Sequence, residues 1–486
     1  MMTISSWTFA LVLALAGSQA TREPIKVHPD NPHYFLFREK PALLVTSGEH
    51  YGAVMNLDFD YKVYLQELAA HGFNLTRVFS GTYREAPGFG GIITGNPMAP
   101  PPHRYVCPWA RGETPGYFDG GNKFDLSRWD PAYFERLKDF VTEAGKHGIV
   151  VELVLFCGMY DDGFWKACPM HAENNVNGIG KGVASKDVLS LGNPELVAVH
   201  EAVVRKLAQE LRSFDNVYYE ICNEPYLSHA SDDWQRHIVE TLVDAESANP
   251  FKHLIAQNVA LGRAAEEASK LHPGVSVINL HYASRITNPV KPLYGLKKVV
   301  AYDETGDDIA LKKAKNYMEL KYGAEDWDSR PYRFGSWTFL MEGGGVYDHL
   351  DFSFTTKHPD GSALFVAPGG GGPHIRRQLK ILKDFMETIP FVRMTPHDEL
   401  LVGTLPEGTI ARVLAEPGRS YAAYVRGGRQ VDLKLDFPAG AYRSEWIDPK
   451  TGRTEADERF DHTGGTRTLV SPRYAEDVAL RLQRRD

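Results

Sequence analysis

The chain has 486 residues, 43% of them hydrophobic and 24% charged, with 54 Lys and Arg against 62 Asp and Glu for a formal net charge of −8. This is globular composition, which excludes a disordered tail, a collagen and a short disulfide-stapled peptide. The charge balance lacks the strongly basic footprint of a nucleic-acid binder.

The first 20 residues, MMTISSWTFALVLALAGSQA, carry an apolar run from Trp7 to Ala16 and then the small residues Gly17, Ser18 and Ala20. The pattern predicts a signal peptide over 1–20 and a secreted or periplasmic protein, although no Lys or Arg precedes the run. No other stretch reaches the ~18 apolar residues of a spanning helix, so no membrane attachment is expected.

From 21 to 390, short β-rich runs alternate with amphipathic segments. Strands are predicted at 42–45, 74–79, 150–156, 216–222, 253–258, 275–280, 299–302 and 333–338. Helices are predicted at 61–71, 131–147, 194–213, 232–248, 263–271, 309–322 and 375–388. Eight strand-and-helix units predict a parallel (β/α)8 TIM barrel. A doubly wound sheet is the alternative, but the residues after strand one, Thr46-Ser47-Gly48-Glu49-His50, lack its Gly-rich phosphate turn. The long polar loops 81–130 and 158–193 follow strands, on the face where barrel enzymes build their sites.

After about Phe391 the pattern changes. Val431, Leu433 and Leu435 alternate with Asp432, Lys434 and Asp436, the period of a half-buried strand. With turns at Gly427-Gly428 and Asp448–Gly452, this predicts an antiparallel β-sandwich over 391–486, with Trp446 in its core. The four cysteines include no CxxC pair, so no zinc ribbon is expected. Cys107 and Cys168, both in loops, are candidates for a disulfide; Cys157 and Cys222, at strand ends, read as core thiols.

Two strand ends carry carboxylates. Strand four ends in Tyr219-Glu220-Ile221-Cys222-Asn223-Glu224-Pro225, and strand seven in Ala301-Tyr302-Asp303-Glu304-Thr305. Carboxylates facing each other across a barrel mouth suit glycoside hydrolysis, in which one protonates the leaving oxygen and the other attacks the sugar. Asp303 competes with Glu304 for the second position, and strand parity must decide between them. Glu220, deeper in the strand, reads as a network residue. Glu49, His50 and Glu342, near strand ends, are candidates to meet substrate hydroxyls.

The Tyr-Glu-x-x-Asn-Glu-Pro run and the strand-seven glutamate resemble those of the clan A glycoside hydrolases, especially the cellulase-like family five. So do Gly72–Arg77 and the stretch Phe124–Pro131 leading into a helix. The resemblance spans roughly 27–390. It implies a retaining glycosidase acting on β-linked sugars, with Glu224 as acid/base and Glu304 as nucleophile. It implies that Asn223 bonds the sugar 2-hydroxyl and that Arg77 keeps the nucleophile ionised. It places His281 or Tyr282 beside the nucleophile; the two are adjacent here, where the familiar pattern separates them by one residue. Trp337 takes the place of the aromatic floor under the cleaved sugar. The pKa values of Glu224 and Glu304 must then be pushed apart, with Glu224 raised. The partner implied is a carbohydrate, with no cofactor. A metal-dependent hydrolase on the same barrel is disfavoured because no His-x-His follows strand one. A non-catalytic sugar binder would have no use for an opposed acid and nucleophile. Sugar identity and endo or exo action are not encoded in these motifs.

Overall fold

The structure, a computed structural model, describes residues 22–86, 95–283, 287–305, 329–363 and 371–485. The apolar leader at 1–20 and the helix expected at 309–322 lie outside the described residues.

Among the described residues, parallel strands β1 (Leu44–Gly48), β2 (Leu75–Phe79), β3 (Val150–Cys157), β4 (Val217–Asn223), β5 (Ile255–Val259), β6 (Val275–His281), β7 (Val299–Glu304) and β8 (Val346–Leu350) form one sheet. Its order is β1-β8-β7-β6-β5-β4-β3-β2. The β1–β2 seam is bridged by Asn74, whose side chain accepts from Val45 N (2.9 Å) and donates to Leu43 O (2.8 Å). The sheet is thus a nearly closed (β/α)8 barrel. Helices α1 (Tyr61–Ala70), α2 (Pro131–Lys146), α3 (Pro194–Leu211), α4 (Asp232–Ala245) and α5 (Ala264–Ser269) follow β1 to β5 in turn. Their starts are written locally. Asp130 caps α2 through Ala132 N, with Pro131 at the first position, and Ser231 caps α4 through Trp234 N. The spacing of Tyr133, Phe134, Leu137, Phe140, Val141 and Ala144 gives α2 the one apolar face that it buries.

Side chains two apart along each strand enter the barrel. The lower layer is apolar: Leu44, Leu75, Val150, Tyr218, Ala256, Val277, Val299 and Val346 pack in one cluster with Ile25 and Phe35. One step up, the same parity gives Arg77, Glu152, Glu220, Asn279 and Asp348, all buried. The barrel is therefore plugged by hydrocarbon below and filled with charge beneath its mouth.

The eighth strand differs from the expectation. Residues 333–338 lie in helix α6 (Arg330–Met341), and β8 follows the Gly343–Gly345 run. The buried residues Tyr332, Arg333, Ser336, Trp337 and Leu340 recur with helical spacing, and Pro331 sits in the first turn. The true strand, Val-Tyr-Asp-His-Leu, hides because Asp348 and His349 interrupt its apolar run. Gly345 is needed at its start: a Cβ there would stand 2.4 Å from the His33 carbonyl oxygen. Helix α7 (Pro373–Glu387) follows β8.

Beyond α7, an antiparallel sheet runs β9 (Thr395–Pro396), β10 (Ile410–Glu416), β11 (Ser420–Arg426), β16 (Asp477–Arg484), β13 (Gly440–Ile447) and β14 (Thr454–His462) from edge to edge. A ribbon of β12 (Asp432–Phe437) and β15 (Gly465–Val470) completes it. Val413, Val425, Leu433, Leu435, Trp446 and Leu480 share its core. Helix α6 joins it to the barrel. Arg333 pairs with Asp477 (2.9 Å) and Glu476 (2.6 Å), and Trp337 stacks on Tyr424 with ring centroids 5.3 Å apart.

All four cysteines are free and buried. The candidate pair is not formed: Cys107 Sγ faces Trp109 O at 3.6 Å and Cys168 Sγ faces Thr82 O at 3.2 Å.

Candidate active site

Glu224 stands one residue past β4, with φ +44°. A non-glycine residue seldom takes such a φ, and here the neighbours impose it. Its N–H donates to Asn258 Oδ1 at the end of β5 (3.1 Å), and Asn258 in turn donates to Asn279 O (3.1 Å). Oε2 accepts from the Tyr160 hydroxyl at 2.7 Å. Oε1 lies 3.3 Å from the Tyr282 hydroxyl and 3.4 Å from His281 Nδ1.

Glu304 ends β7. Its Oε1 accepts from Tyr282 at 2.8 Å, and its Oε2 lies 3.7 Å from Arg77 Nη1 and 3.6 Å from His281 Nδ1. An oxygen of Glu224, an oxygen of Glu304 and a His281 nitrogen all fall within 4.8 Å of one another. Strand parity alone would have chosen Asp303, which continues the inward series of Val299 and Ala301. The ladder slips at this point: Leu280 pairs with Tyr302, but His281 pairs with Glu304. That bulge leaves Asp303 in the barrel interior and turns Glu304 over the mouth. Both His281 and Tyr282 reach the carboxylate pair.

Arg77 lies beneath. Its Nε donates to Glu220 Oε2 (2.7 Å) and its Nη2 to Asn223 Oδ1 (2.8 Å), while Asp303 Oδ2 is 3.6 Å away. The Tyr51 ring covers the guanidinium at 4.6 Å. Glu220 is the deep network residue that its position suggested.

The charges set the proton affinities. Burial alone would lower His281, but Glu304, Asp303 and Glu224 outweigh it and push the imidazole up to about 9. Burial raises Asp303 to about 7 despite the cations His281 and Arg77. Burial would also raise Glu224, yet its bonds to His281, Tyr160 and Tyr282 prevail and hold it below its ordinary value. The expectation of a raised Glu224 therefore fails, because the neighbouring imidazole holds the proton more tightly.

The groups Glu220–His281–Asp303 and Glu224–His281–Glu304 have the spacing of metal ligands. Two positive groups already stand there, however: the surrounding carboxylates push His281 up to about 9, and Arg77 touches Glu220, Asp303 and Glu304, so a divalent ion there would meet both.

A cavity of about 260 Å³ opens over the pair, with His50, Tyr83, Glu85, Tyr160 and Asn223 among its walls. His50 Nε2 lies 3.5 Å from Glu85. A larger groove of about 590 Å³ between α4 and α5 is lined by Tyr226 and Asn258, but its carboxylates, such as Asp232, Asp233 and Glu266, are solvent-facing. The chemistry therefore belongs to the smaller cavity.

Three sequence candidates lie elsewhere. Trp337 is fully buried on α6, between Phe385 and Tyr424, and forms no floor to the cavity. Glu342 pairs with Arg412 of β10 at 2.7 Å. Glu49 is fully buried rather than at a substrate surface; its Oε1 accepts from Ala53 N (2.9 Å), and burial raises its carboxyl to about 7. Conversely, Tyr51, Glu85 and Tyr160 surround the site without having been marked. Only Tyr160's place three residues past a strand end distinguishes it in the sequence.

No protein-family model and no curated protein matches the sequence. Solved structures do match the fold. One is a glycoside hydrolase family 5 protein from Bacteroides vulgatus, 15% identical, with a TM-score of 0.62 over 96% of this chain and 95% of that one. The two chains share the barrel fold. A second Bacteroides vulgatus protein, provisionally assigned as a glycoside hydrolase, is 16% identical with a TM-score of 0.66 over 95% of this chain and 82% of its own. A further glycoside hydrolase is 15% identical with a TM-score of 0.59 over 95% and 97%. Each match extends through the C-terminal sheet. Among the described residues, no helix is long and apolar enough to cross a membrane.

Proposed function

We propose that the protein is an exported, retaining glycoside hydrolase that cleaves β-linked bonds in an oligo- or polysaccharide, with Glu304 as nucleophile and Glu224 as acid/base. The observation that carries this reading is the pair of buried glutamates at the ends of β4 and β7, with oxygens within 4.8 Å. Retaining enzymes hold their carboxyl groups ~5–5.5 Å apart, whereas inverting ones leave ~6.5–9.5 Å for a water. The likeness in fold to solved glycoside hydrolases supports it, and the apolar leader supports export.

In this reading Glu304 attacks the anomeric carbon while the glycosidic oxygen takes a proton from Glu224. The Tyr282 hydroxyl, 2.8 Å from Glu304, aims the attacking carboxylate, and Arg77 balances its charge until the ester forms. The proton is close at hand, since protonated His281 stands 3.4 Å from Glu224 Oε1. Water then enters, gives its proton to Glu224 and releases the sugar from Glu304. Asn223 and the His50–Glu85 pair line the cavity and are assigned to sugar hydroxyls.

The test is ¹H NMR of the first-formed product, on a substrate found by screening aryl β-glycosides and a polysaccharide panel. Retention of anomeric configuration is expected. An inverted product would reject Glu304 as nucleophile.

A further inference from the structure

We propose that Tyr160 is a positioning residue for Glu224: it fixes Oε2 as a hydrogen-bond acceptor, so that the transferable proton occupies Oε1. The inference rests on the glycosidase reading for its consequence, but its geometry stands alone.

Hydrogen-bond directions along a four-residue chain are forced. Arg77 can only donate, so the Asn223 atom 2.8 Å from its Nη2 is Oδ1. The Asn223 amide nitrogen then faces Tyr160, donating to its oxygen at 2.9 Å. Having accepted there, Tyr160 directs its own hydrogen to Glu224 Oε2 at 2.7 Å. The ring is fixed edge-on against Phe164 and Tyr83, at 5.4 and 6.2 Å between centroids. A proton on Oε2 would confront the Tyr160 hydrogen. Among the described residues, the one alternative target for that hydrogen is Cys157 Sγ at 3.5 Å, a weak acceptor. Oε1 faces longer contacts, Tyr282 at 3.3 Å and His281 Nδ1 at 3.4 Å, and both of those hydrogens have a second acceptor in Glu304.

The other groups near Glu224 do not duplicate this control. From β6 and β7 come His281, Tyr282 and Glu304, all on the Oε1 side or beyond it. Tyr226, on Glu224's own loop, is a phenol that burial pushes far up, so it stays neutral. Burial likewise raises Tyr160 and Cys157, which leaves both protonated over the working range.

The decisive measurement is neutron diffraction from wild-type crystals exchanged into deuterated buffer, at a pH low enough to protonate Glu224. A deuteron on Oε1 is expected; one on Oε2 overturns the proposal. Tyr160→Phe supplies the second test. Removing a donor to the carboxylate makes it harder to ionise, so the Glu224 carboxyl should titrate about one pH unit higher. The Glu224 carboxyl resonance in ¹³C-glutamate-labelled protein, assigned by its loss in Glu224→Gln, reads that shift. A structural role for Tyr160 would reduce rates and leave that midpoint in place, which overturns the proposal. If wild-type protein cleaves no glycoside, the glycosidase reading fails, while the neutron map and the carboxyl titration still decide the role of Tyr160.

Discussion

Replacing Trp337 separates a core role from a substrate-floor role. The side chain is fully buried, with Phe385 at 4.9 Å and Tyr424 at 5.3 Å between ring centroids. A buried indole removes roughly 200 Å² from water, which at ~25 cal/mol per Å² is about 5 kcal/mol as an upper figure. Truncation leaves a cavity between barrel and C-terminal sheet, and measured Trp→Ala losses run to about 3–5 kcal/mol. Trp337→Ala should therefore destabilise by about that much. Trp337→Phe should cost only about 1 kcal/mol, because the indole N–H has no partner among the described residues and its removal relieves a desolvated donor. Denaturant unfolding followed by near-UV circular dichroism reads both. Under conditions where the variants are folded, KM for glycosides should match wild type. A tenfold or greater loss of kcat/KM in Trp337→Phe with unchanged stability would refute the assignment and return Trp337 to the cavity.

Glu304→Ala should lower turnover of aryl glycosides by about 10⁴-fold or more in initial-rate assays; near-wild-type rates would move the nucleophile to Asp303. Glu224→Gln should cost about 10²–10⁴-fold on substrates with poor leaving groups and far less on activated aryl glycosides, and equal losses on both would remove Glu224 from the acid role. Stability should fall as pH rises from about 5 to 9, because Glu49 (from 4.5 to about 7) and His281 (from 6.5 to about 9) hold protons more tightly folded than unfolded. Denaturation midpoints across that range check the sign, Glu49→Gln should flatten the fall below pH 7, and a midpoint rising toward pH 9 would contradict it.

What the sequence made legible was whatever local chemistry dictates. The Asn223-Glu224-Pro225 run is readable because a proline stops the strand just where a carboxylate is needed. Seven barrel strands are readable because their lower layer is apolar. The eighth is not, because Asp348 and His349 break its pattern while Phe334 and Trp337 on a helix imitate a strand. The choice between Asp303 and Glu304 depends on a one-residue slip against β6, a tertiary event that alternation cannot reveal. Tyr160 carries only the weak signal of its place past a strand end, because its partner is 64 residues away.

The misplaced strand and the misjudged Glu224 have a common origin in the charged layer under the mouth. Glu152, Glu220, Asp303 and Asp348 surround one guanidinium and one imidazole, all buried. The cations are outnumbered, so part of this layer must carry protons: burial raises Glu152 to about 8 and Asp303 to about 7. Tyr218 and Asn279 donate to Glu152 at 2.6 and 2.7 Å, and Arg77 is spent on Glu220 and Asn223. The imidazole of His281 is then the cation that both mouth carboxylates share, which holds Glu224 low and His281 high. Forming the glycosyl ester would neutralise Glu304 and remove a main support of the His281 charge. The imidazole would then release its proton more readily toward Glu224 as the leaving group needs it. In the proposed mechanism the acid and the nucleophile would thus be coupled through His281 as well as through space, and Glu224 could act as an acid without a raised pKa of its own.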